Sequence, residues 1–358
     1  MNKILFGDCR ETLKTITSPV QMCVTSPPYY GLRDYGTATW IGGDPNCNHR
    51  RDTKVKPENC NTGHKNHDEM AGVGDAIYKT VCPKCGAIRQ DSQIGLEQTP
   101  EDYVKEMVKV FSLVRDCLTD DGTLWLNIGD SYYNYRSDGN YPKQTVSKTR
   151  QDLPQSTPVR GNKLEGLKQK DLIGIPWMLA FALRADGWYL RQDIIWHKPN
   201  PMPESVKDRC TKAHEYIFLL SKSKNYYYDN EAIKEPAKDW GTRDRTNGKY
   251  HNPGSGLAPH SGLTKSYSTK NKRSVWSVTV KPYKGAHFAT YPEELVTPCI
   301  LAGSEKGDIV LDPFMGSGTT AMVAKKNSRS YLGCELREEY ASLQTARISS
   351  IPNKLPLY

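Results

Sequence analysis

Residues Ser26, Pro27, Pro28 and Tyr29 form a short loop whose residue types favour one kind of chemistry. The two prolines lack amide hydrogens and fix their own φ angles, so the loop is rigid and poor in donors. It presents carbonyl oxygens and the Ser26 hydroxyl as acceptors, with an aromatic ring beside them. Such a loop suits binding an exocyclic amino group while Tyr29 stacks on the attached base. A proline-rich turn with a packed tyrosine is the structural alternative.

A second stretch has the residue types of a nucleotide-binding turn. Gly316, Ser317 and Gly318 lie between an apolar segment predicted as a strand, Ile309 to Leu311, and a predicted helix that starts at Ala321. Glycine permits a positive φ and lets a ligand approach the main chain closely. The stretch lacks Gly-Lys-Ser/Thr, which excludes the phosphate-binding loop of nucleotide hydrolases. A plain structural turn is the alternative.

An acidic residue follows this turn at the distance expected for a nucleoside site. The apolar segment 330–334 is predicted as a strand and ends in Glu335, about twenty residues beyond the turn. A carboxylate there suits hydrogen bonding to both hydroxyls of a bound ribose. The pattern predicts a cofactor site at the carboxyl end of a parallel sheet.

The insertion between residues 44 and 95 carries a candidate metal site. Cys47 and His49 are followed by Cys82 and Cys85, and a Cys-x-x-Cys-Gly turn brings two thiolates onto one ion. Four ligands of this kind predict a closed, structural Zn²⁺ site. Rival ligands in the same insertion are Cys60, His64 and His67. Unligated thiols are the alternative, while a disulfide framework is disfavoured in a chain with ten cysteines in 358 residues.

Together, the two loops resemble those of the amino-methylating DNA methyltransferases. Ser26-Pro27-Pro28-Tyr29 is similar to the family's catalytic motif, and Asp312-Pro313-Phe314-Met315-Gly316-Ser317-Gly318 is similar to its cofactor motif. The order of the two motifs, catalytic loop first, resembles the beta group of that family. The resemblance covers most of the chain and implies S-adenosyl-L-methionine as the methyl donor.

The resemblance also implies roles for individual residues. Ser26 and the Pro27 carbonyl would accept the amino hydrogens of the target base, Tyr29 would stack on it, and Pro28 completes the catalytic set. Glu335 would hold the cofactor's ribose. The cofactor-binding residues expected in full are Asp8, Cys9, Phe288, Thr290, Asp312, Phe314, Gly316, Ser317, Gly318, Thr319, Thr320 and Glu335.

The fold implied by the resemblance is α/β. It is the Rossmann-like fold of S-adenosylmethionine-dependent methyltransferases, circularly permuted, with a mostly parallel sheet and helices on both faces. Local patterns also predict helices, since Thr99 and Pro100 are a typical N-cap and first residue of a helix. The predicted organisation is a catalytic part in residues 1–43 and 96–228, a zinc-binding insertion in 44–95, a target-recognition region in 229–285 and a cofactor-binding part in 286–358.

The chain is basic, with a formal net charge of +9, which favours a polyanionic partner. Segment 229–285 interleaves basic and aromatic residues, a mixture that can hold phosphates and read base edges. Segment 135–170 is also basic and lacks apolar periodicity, so we predict a loop that closes over DNA. Double-stranded DNA is the predicted partner, and simple basic surface loops are the alternative. The expected DNA-binding residues are Arg243, Arg245, Lys270, Lys272 and Arg273.

The predicted reaction is methyl transfer to an exocyclic nitrogen of a flipped-out base. In the resembled family, Ser at the first loop position with a preceding Thr, as in Ser26 after Thr25, looks like the cytosine-N4 enzymes. Asp at that position looks adenine-specific, and adenine N6 is the alternative. Cytosine C5 methylation is disfavoured because it needs an attacking thiolate, which the loop lacks. A non-catalytic, zinc-containing DNA-binding protein with a degenerate methylase fold is the remaining alternative, and the intact loops argue against it.

The chain shows no membrane signal. No apolar run approaches the roughly 20 residues needed to cross a bilayer, and the first residues lack the apolar core of a signal peptide. We therefore expect a cytoplasmic protein of bacterial or phage origin, without a membrane partner. A cognate restriction endonuclease is a further partner that the resemblance allows, and the sequence is compatible with a monomer or a dimer.

Overall fold

A computed structural model describes residues 2–31, 39–49, 81–90, 93–133, 164–237, 268–280 and 291–351. Several predicted features fall outside these ranges: Cys60, His64, His67, Arg243, Arg245, Phe288 and Thr290. Most of segment 135–170 and of segment 229–285 lies outside them as well.

The described elements alternate between strands and helices along the chain. The strands are β1 (Asn2–Phe6), β2 (Val20–Thr25), β3 (Thr39–Ile41), β4 (Ile88–Gln90), β5 (Leu118–Ile128), β6 (Tyr189–His197), β7 (His214–Ser221), β8 (Glu235–Pro236), β9 (Thr269–Lys270), β10 (Val275–Ser277), β11 (Ile309–Asp312) and β12 (Ser330–Glu335). The helices are α1 (Cys9–Thr12), α2 (Pro100–Cys117), α3 (Ile175–Ala185), α4 (Glu293–Gly303), α5 (Thr319–Lys326) and α6 (Ala341–Ser349).

Eight strands form the central sheet, in the spatial order β1-β12-β11-β2-β5-β7-β6-β10. In this sheet β7 is antiparallel to β5 and β6, and the other neighbours are parallel. The order places β11, from late in the chain, beside β2, from its start, with Leu311 opposite Cys23. The predicted α/β fold and its permuted order are therefore confirmed.

Side chains alternate along the strands and build one hydrophobic core on each face of the sheet. Leu311 packs into the core that is covered by α2 and α3, whereas the preceding residue, Val310, packs into the core that is covered by α4, α5 and α6. The central strands are buried on both faces, which is why they read as continuous apolar runs in the sequence.

Two elements have boundaries that depend on strand pairing. Residues 120–122, with the turn-like sequence Asp-Asp-Gly, belong to β5, where the pairing with β2 jumps from Leu118 to Thr123 in a bulge. Helix α3 begins at Ile175, after Leu172 has paired with Tyr132 in an isolated bridge. Within the described residues, no helix is both long and apolar enough to span a membrane.

Candidate active site

The predicted loops meet at one edge of the sheet. Parallel strands end at a common edge, so the residues after β1, β2, β5, β11 and β12 lie there together, and β7 begins there because it runs the opposite way. The Ser26–Tyr29 loop follows β2, and the glycine turn follows β11, its direct neighbour. In open α/β sheets, ligands bind in the crevice outside this carboxyl edge.

Asp312 joins the two loops through a buried carboxylate. It is fully buried, and Thr25 Oγ1 donates to its Oδ1 at 2.6 Å while Thr320 Oγ1 donates to its Oδ2 at 2.5 Å. The Phe314 amide at 3.0 Å and the Tyr291 hydroxyl at 3.1 Å also donate to it. Burial raises the pKa of Asp312, and these donors oppose the shift. These four protein donors place the carboxylate where it holds the two loops together, and a contact between Asp312 and a cofactor stays a prediction.

The catalytic loop is held from the side of α2. The Tyr103 hydroxyl donates to the Pro28 carbonyl at 2.9 Å, whereas no described residue donates to the Pro27 carbonyl. Gly95, with φ of +101°, packs against the loop, and a Cβ there would lie 3.1 Å from the Tyr29 carbonyl oxygen. The loop therefore presents the Pro27 carbonyl and Ser26 as its remaining acceptors, and their contacts with a target base stay predictions.

Tyr29 has partners that the sequence did not indicate. Its hydroxyl donates to Glu215 Oε2 at 2.6 Å and lies 3.4 Å from Asn127 Oδ1. Glu215 also forms an ion pair with Lys198. Burial, followed by the neighbouring Glu215 carboxylate, raises the pKa of Tyr29 well above its ordinary value. Glu215 lies 186 residues from Tyr29, so only the pairing of β5 with β7 could have linked them.

The glycine turn is closed by Glu335. The Gly316 amide donates to Glu335 Oε2 at 2.8 Å, the Arg337 amide donates to Oε1 at 2.9 Å, and the Gly318 amide donates to the Met315 carbonyl at 2.9 Å. Two of the amides expected to face a cofactor are thus used within the protein. Glu335 is 9% exposed, and burial raises its pKa to about 7.

Two residues of α6 hold the outer side of the same turn and were missed by the sequence analysis. Gln344 Nε2 donates to the Gly316 carbonyl at 2.7 Å. The Arg347 guanidinium donates to Ser317 Oγ at 2.5 Å and to Thr319 Oγ1 at 3.1 Å. The signal for them was weak: two polar side chains three residues apart on one helix face.

Asp8 and Cys9, two of the expected cofactor-binding residues, also lie at this edge. Asp8 caps α1 by accepting the Arg10 amide at 2.9 Å and forms an ion pair with the Arg10 guanidinium at 2.6 Å. Arg10 in turn pairs with Glu106 at 2.9 Å. Cys9 is buried in the core, and burial raises the pKa of its thiol to about 12. The side chains of Asp8 and Cys9 therefore have structural partners, and their contact with a cofactor stays a prediction.

Four predicted metal ligands converge beside the β3–β4 hairpin. Ligand atoms of Cys47, His49, Cys82 and Cys85 lie within 4.8 Å of one another. The Cys47 and Cys82 sulfurs are 3.7 Å apart, and Cys85 Sγ is 3.5 Å from His49 Nδ1. The ring of Trp40 stacks on that of His49 with 4.2 Å between centroids, which fixes the imidazole.

Lys272 and Arg273, two described basic residues of the predicted recognition region, make ion pairs within the protein. Lys272 Nζ lies 3.6 Å and Arg273 Nε 3.2 Å from the carboxylate of Glu235, so they hold β9 near β8. Lys272 is partly buried over the Trp276 ring, whereas the Arg273 side chain is 74% exposed. Lys270 lies opposite Glu235 in the backbone register of β8 and β9. DNA contacts by these residues stay predictions.

The fold is the Rossmann-like fold of S-adenosylmethionine-dependent methyltransferases. Its carboxyl edge carries a glycine turn followed by a helix, a buried acid at the next strand end and an adjoining acceptor loop. The chain belongs to the DNA methylase family, whose model matches residues 20–346. The resemblance inferred from the two loops is thereby confirmed.

The relatives and solved structures that this chain resembles are methyltransferases as well. Type II methyltransferase M.SmaI from Serratia marcescens is 42% identical over 351 residues, covering 97% of this chain and 90% of the relative. M.Cfr9I from Citrobacter freundii is 40% identical over 343 residues, covering 96% and 86%. Among solved structures, the cytosine-N4-specific PvuII DNA methyltransferase has a TM-score of 0.53 at 15% identity, covering 99% of this chain and 88% of that one. A DNA modification methylase of Thermus thermophilus, solved with S-adenosyl-L-methionine, has a TM-score of 0.50 at 19% identity, covering 98% and 95%.

Proposed function

We propose that this DNA methylase transfers a methyl group from S-adenosyl-L-methionine to the exocyclic N4 of a flipped-out cytosine in double-stranded DNA. The observation that carries the proposal is the junction of the two loops. The Ser26–Tyr29 loop and the glycine turn follow neighbouring parallel strands, and the Thr25–Asp312 hydrogen bond of 2.6 Å joins them. An acceptor loop for an amino group therefore lies directly beside a cofactor turn.

The residues at the carboxyl edge fit the proposed cofactor. Glu335 offers a buried carboxylate for ribose hydroxyls, and Phe314 lies beside the turn as a partly buried aromatic ring. When bound, S-adenosyl-L-methionine supplies a sulfonium methyl group that is already a strong electrophile. The protein's own task is then orientation, because reactants held in line can gain several orders of magnitude in rate.

Ser26 and the Pro27 carbonyl orient the target amine. Each accepts one hydrogen of the amino group, which raises the electron density on nitrogen as it attacks. As the N–C bond forms and the donor's S–C bond breaks, one of these hydrogens leaves the amine as a proton and passes to solvent. The Pro28 carbonyl is already bonded to Tyr103, so it serves the shape of the loop. Tyr29 offers its ring to the flipped base, since stacking on an aromatic side chain replaces part of the stacking lost from the duplex.

Labelled methyl transfer followed by mass analysis of digested nucleosides tests the proposal. Purified protein should label unmodified genomic DNA, and the product should be N4-methylcytosine. N6-methyladenine as the product would replace the cytosine assignment by the adenine alternative. Absence of labelling on several unmodified genomic DNAs would favour a non-catalytic DNA-binding protein.

Cofactor affinity is expected to fall as the pH drops through about 7, where Glu335 becomes protonated. Ribose hydroxyls donate more strongly to the ionised carboxylate, so the affinity should fall below that pKa and level off once the neutral acid predominates. Titration calorimetry with S-adenosyl-L-methionine between about pH 5 and 8 measures it. Glu335→Gln should bind more weakly and lose this pH dependence, and an unchanged pH profile in Glu335→Gln would contradict the ribose role.

In the cofactor-free protein, the effect of Glu335 on stability should have the opposite pH dependence to its effect on cofactor affinity: Glu335 should stabilise the fold more at low pH than at high pH. Burial raises the pKa of Glu335 in the folded state from 4.5 to about 7, so folding favours the neutral acid. Its contribution to the free energy of unfolding is complete below about 4.5 and is lost as the pH rises through about 7. Thermal melts of the wild type and of Glu335→Gln without cofactor measure this difference.

We further propose that Cys47, His49, Cys82 and Cys85 bind one structural Zn²⁺. Zn–S bonds of about 2.3 Å and a Zn–N bond of about 2.0 Å in a tetrahedron place two sulfurs about 3.8 Å apart and a sulfur about 3.5 Å from a nitrogen. The separations of 3.7 Å and 3.5 Å match both values. Four protein ligands would close the coordination shell, which favours a structural role.

Metal analysis of the purified protein should find about one zinc per chain. Cys82→Ser with Cys85→Ser should remove the zinc, because a neutral hydroxyl is a poor zinc ligand. Cys210→Ser is the matched control, since Cys210 is exposed and outside the cluster, and it should retain the metal. A wild-type protein that is folded and free of zinc would contradict the site.

A further inference from the structure

Glu215 connects the catalytic loop to two other strands of the sheet. It is the second residue of β7, which begins at the edge where β2 and β5 end. Its Oε2 accepts the Tyr29 hydroxyl at 2.6 Å and lies 3.3 Å from Asn127 Nδ2. Asn127 is itself fixed by a 3.1 Å bond from Nδ2 to the Tyr216 carbonyl. The carboxylate thus has a defined position at the tip of the Tyr29 ring.

A cation holds the other oxygen of this carboxylate. Lys198, directly after β6, forms an ion pair with Glu215 Oε1, and the two side chains are only 19% and 15% exposed. Removing two charges from water costs about as much as their attraction returns, so such a pair adds little net stability. What it does supply is geometry, because each partner restricts the rotamers of the other. Lys198 also lies over the Trp196 ring, 4.3 Å from its centroid.

The Tyr29 ring is confined along its edge as well as at its hydroxyl end. A Cβ built on Gly129 would lie 2.7 Å from Tyr29 Cε2, so only glycine leaves room for the ring at that position. Both constraints act on the ring that the proposed reaction uses as its stacking surface. A displacement of about 1 Å in an aligned reaction can cost roughly 100-fold in rate.

We infer that Glu215, paired with Lys198, is a positioning residue that sets the orientation of Tyr29 for the flipped base. The inference rests on the proposed methyl transfer, because stacking of the Tyr29 ring on a flipped base is part of that reaction. Glu215 itself contacts neither the base nor the methyl donor. It acts on the reaction through the Tyr29 hydroxyl alone.

Steady-state methyl transfer by four variants tests the inference. Glu215→Ala and Tyr29→Phe should each lower kcat roughly 100-fold with an unchanged Kd for S-adenosyl-L-methionine, because each removes the same hydrogen bond. Glu215→Gln keeps an oxygen acceptor and should recover most of the lost kcat. The double variant Glu215→Ala with Tyr29→Phe should be no slower than either single variant. Asp186→Ala is the matched control and should leave kcat unchanged. Asp186 is a partly buried carboxylate that pairs with Arg115, and it precedes β6 at the opposite edge of the sheet.

Three results would overturn the inference: wild-type kcat in Glu215→Ala or in Tyr29→Phe, equal losses in Glu215→Ala and Glu215→Gln, or independent losses that multiply in the double variant. If Glu215→Ala fails to fold, Tyr29→Phe and Glu215→Gln decide together: Tyr29→Phe, which also removes the hydroxyl's contacts with Asn127 and Ser26, should lose kcat, and Glu215→Gln, which keeps an acceptor, should retain most of it.

A measurement without DNA separates this inference from the proposed function. 3-Fluorotyrosine at position 29 places a fluorine beside the hydroxyl, and its ¹⁹F chemical shift reports the hydrogen bond. The shift should move in Glu215→Ala and stay near the wild-type value in Glu215→Gln. No change in Glu215→Ala would refute the anchoring. A changed shift in a protein that methylates no DNA would leave the anchoring supported and contradict only the proposed reaction.

Discussion

Ser26→Ala is expected to lower kcat for methyl transfer by roughly 100- to 1,000-fold, the range seen when one aligned polar group is removed from an active site. The Ser26 hydroxyl is one of two acceptors that the loop leaves for the target amine, since the Pro28 carbonyl is bonded to Tyr103. Without it, the amine loses an acceptor for one of its hydrogens and its orientation toward the methyl group. Labelled methyl transfer at saturating cofactor measures the effect.

The same variant should bind S-adenosyl-L-methionine normally. Ser26 follows β2, whereas the cofactor turn follows β11 and is held by Glu335, Gln344 and Arg347. Ser223→Ala is a suitable control, because Ser223 bonds a nearby carbonyl after the carboxyl end of β7, at the opposite edge of the sheet. A loss of cofactor affinity in Ser26→Ala that equals its loss of turnover would contradict the assigned role.

The sequence predicts those parts of the site that consist of contiguous residues. The turn at Gly316 is flanked by a strand and a helix whose observed bounds, Ile309–Asp312 and Thr319–Lys326, lie within about two residues of the predicted ones. Thr99 caps α2 as predicted, accepting the Asp102 amide at 3.1 Å. Local rules on capping, periodicity and glycine conformation decide such features, so one segment contains all the information.

The parts that were missed depend on register between distant strands. Glu215 meets Tyr29 because β7 pairs with β5 in one particular alignment, and a shift by one residue would turn its side chain to the other face. Tyr291 meets Asp312 only after α4 has packed on the sheet. Asp312 shows the same limit, because its four donors come from three separate segments of the chain.

Asp312→Ala is expected to lower the free energy of unfolding by about 3–5 kcal/mol. It removes the common acceptor of four donors at a fully buried position, and a buried donor without a partner costs about 1–3 kcal/mol. The Tyr291 and Thr320 hydroxyls already contact each other, so the total stays below the sum of four separate losses. Urea denaturation of the wild type and the variant measures the difference.

Asp312→Asn and Thr25→Val test separately the contributions of the two loops that Asp312 joins. Asn keeps one oxygen but turns an amide toward the donors on the other side, so both cofactor affinity and kcat should fall. Thr25→Val removes only the hydroxyl that links β2 to Asp312, and it should cost about 1 kcal/mol of stability. Because the cofactor turn keeps its remaining bonds to Asp312, Thr25→Val should reduce kcat and leave the cofactor Kd unchanged. If Thr25→Val weakens cofactor binding as much as Asp312→Asn does, the carboxylate is not the joint between separate loops, and the cofactor turn depends directly on β2.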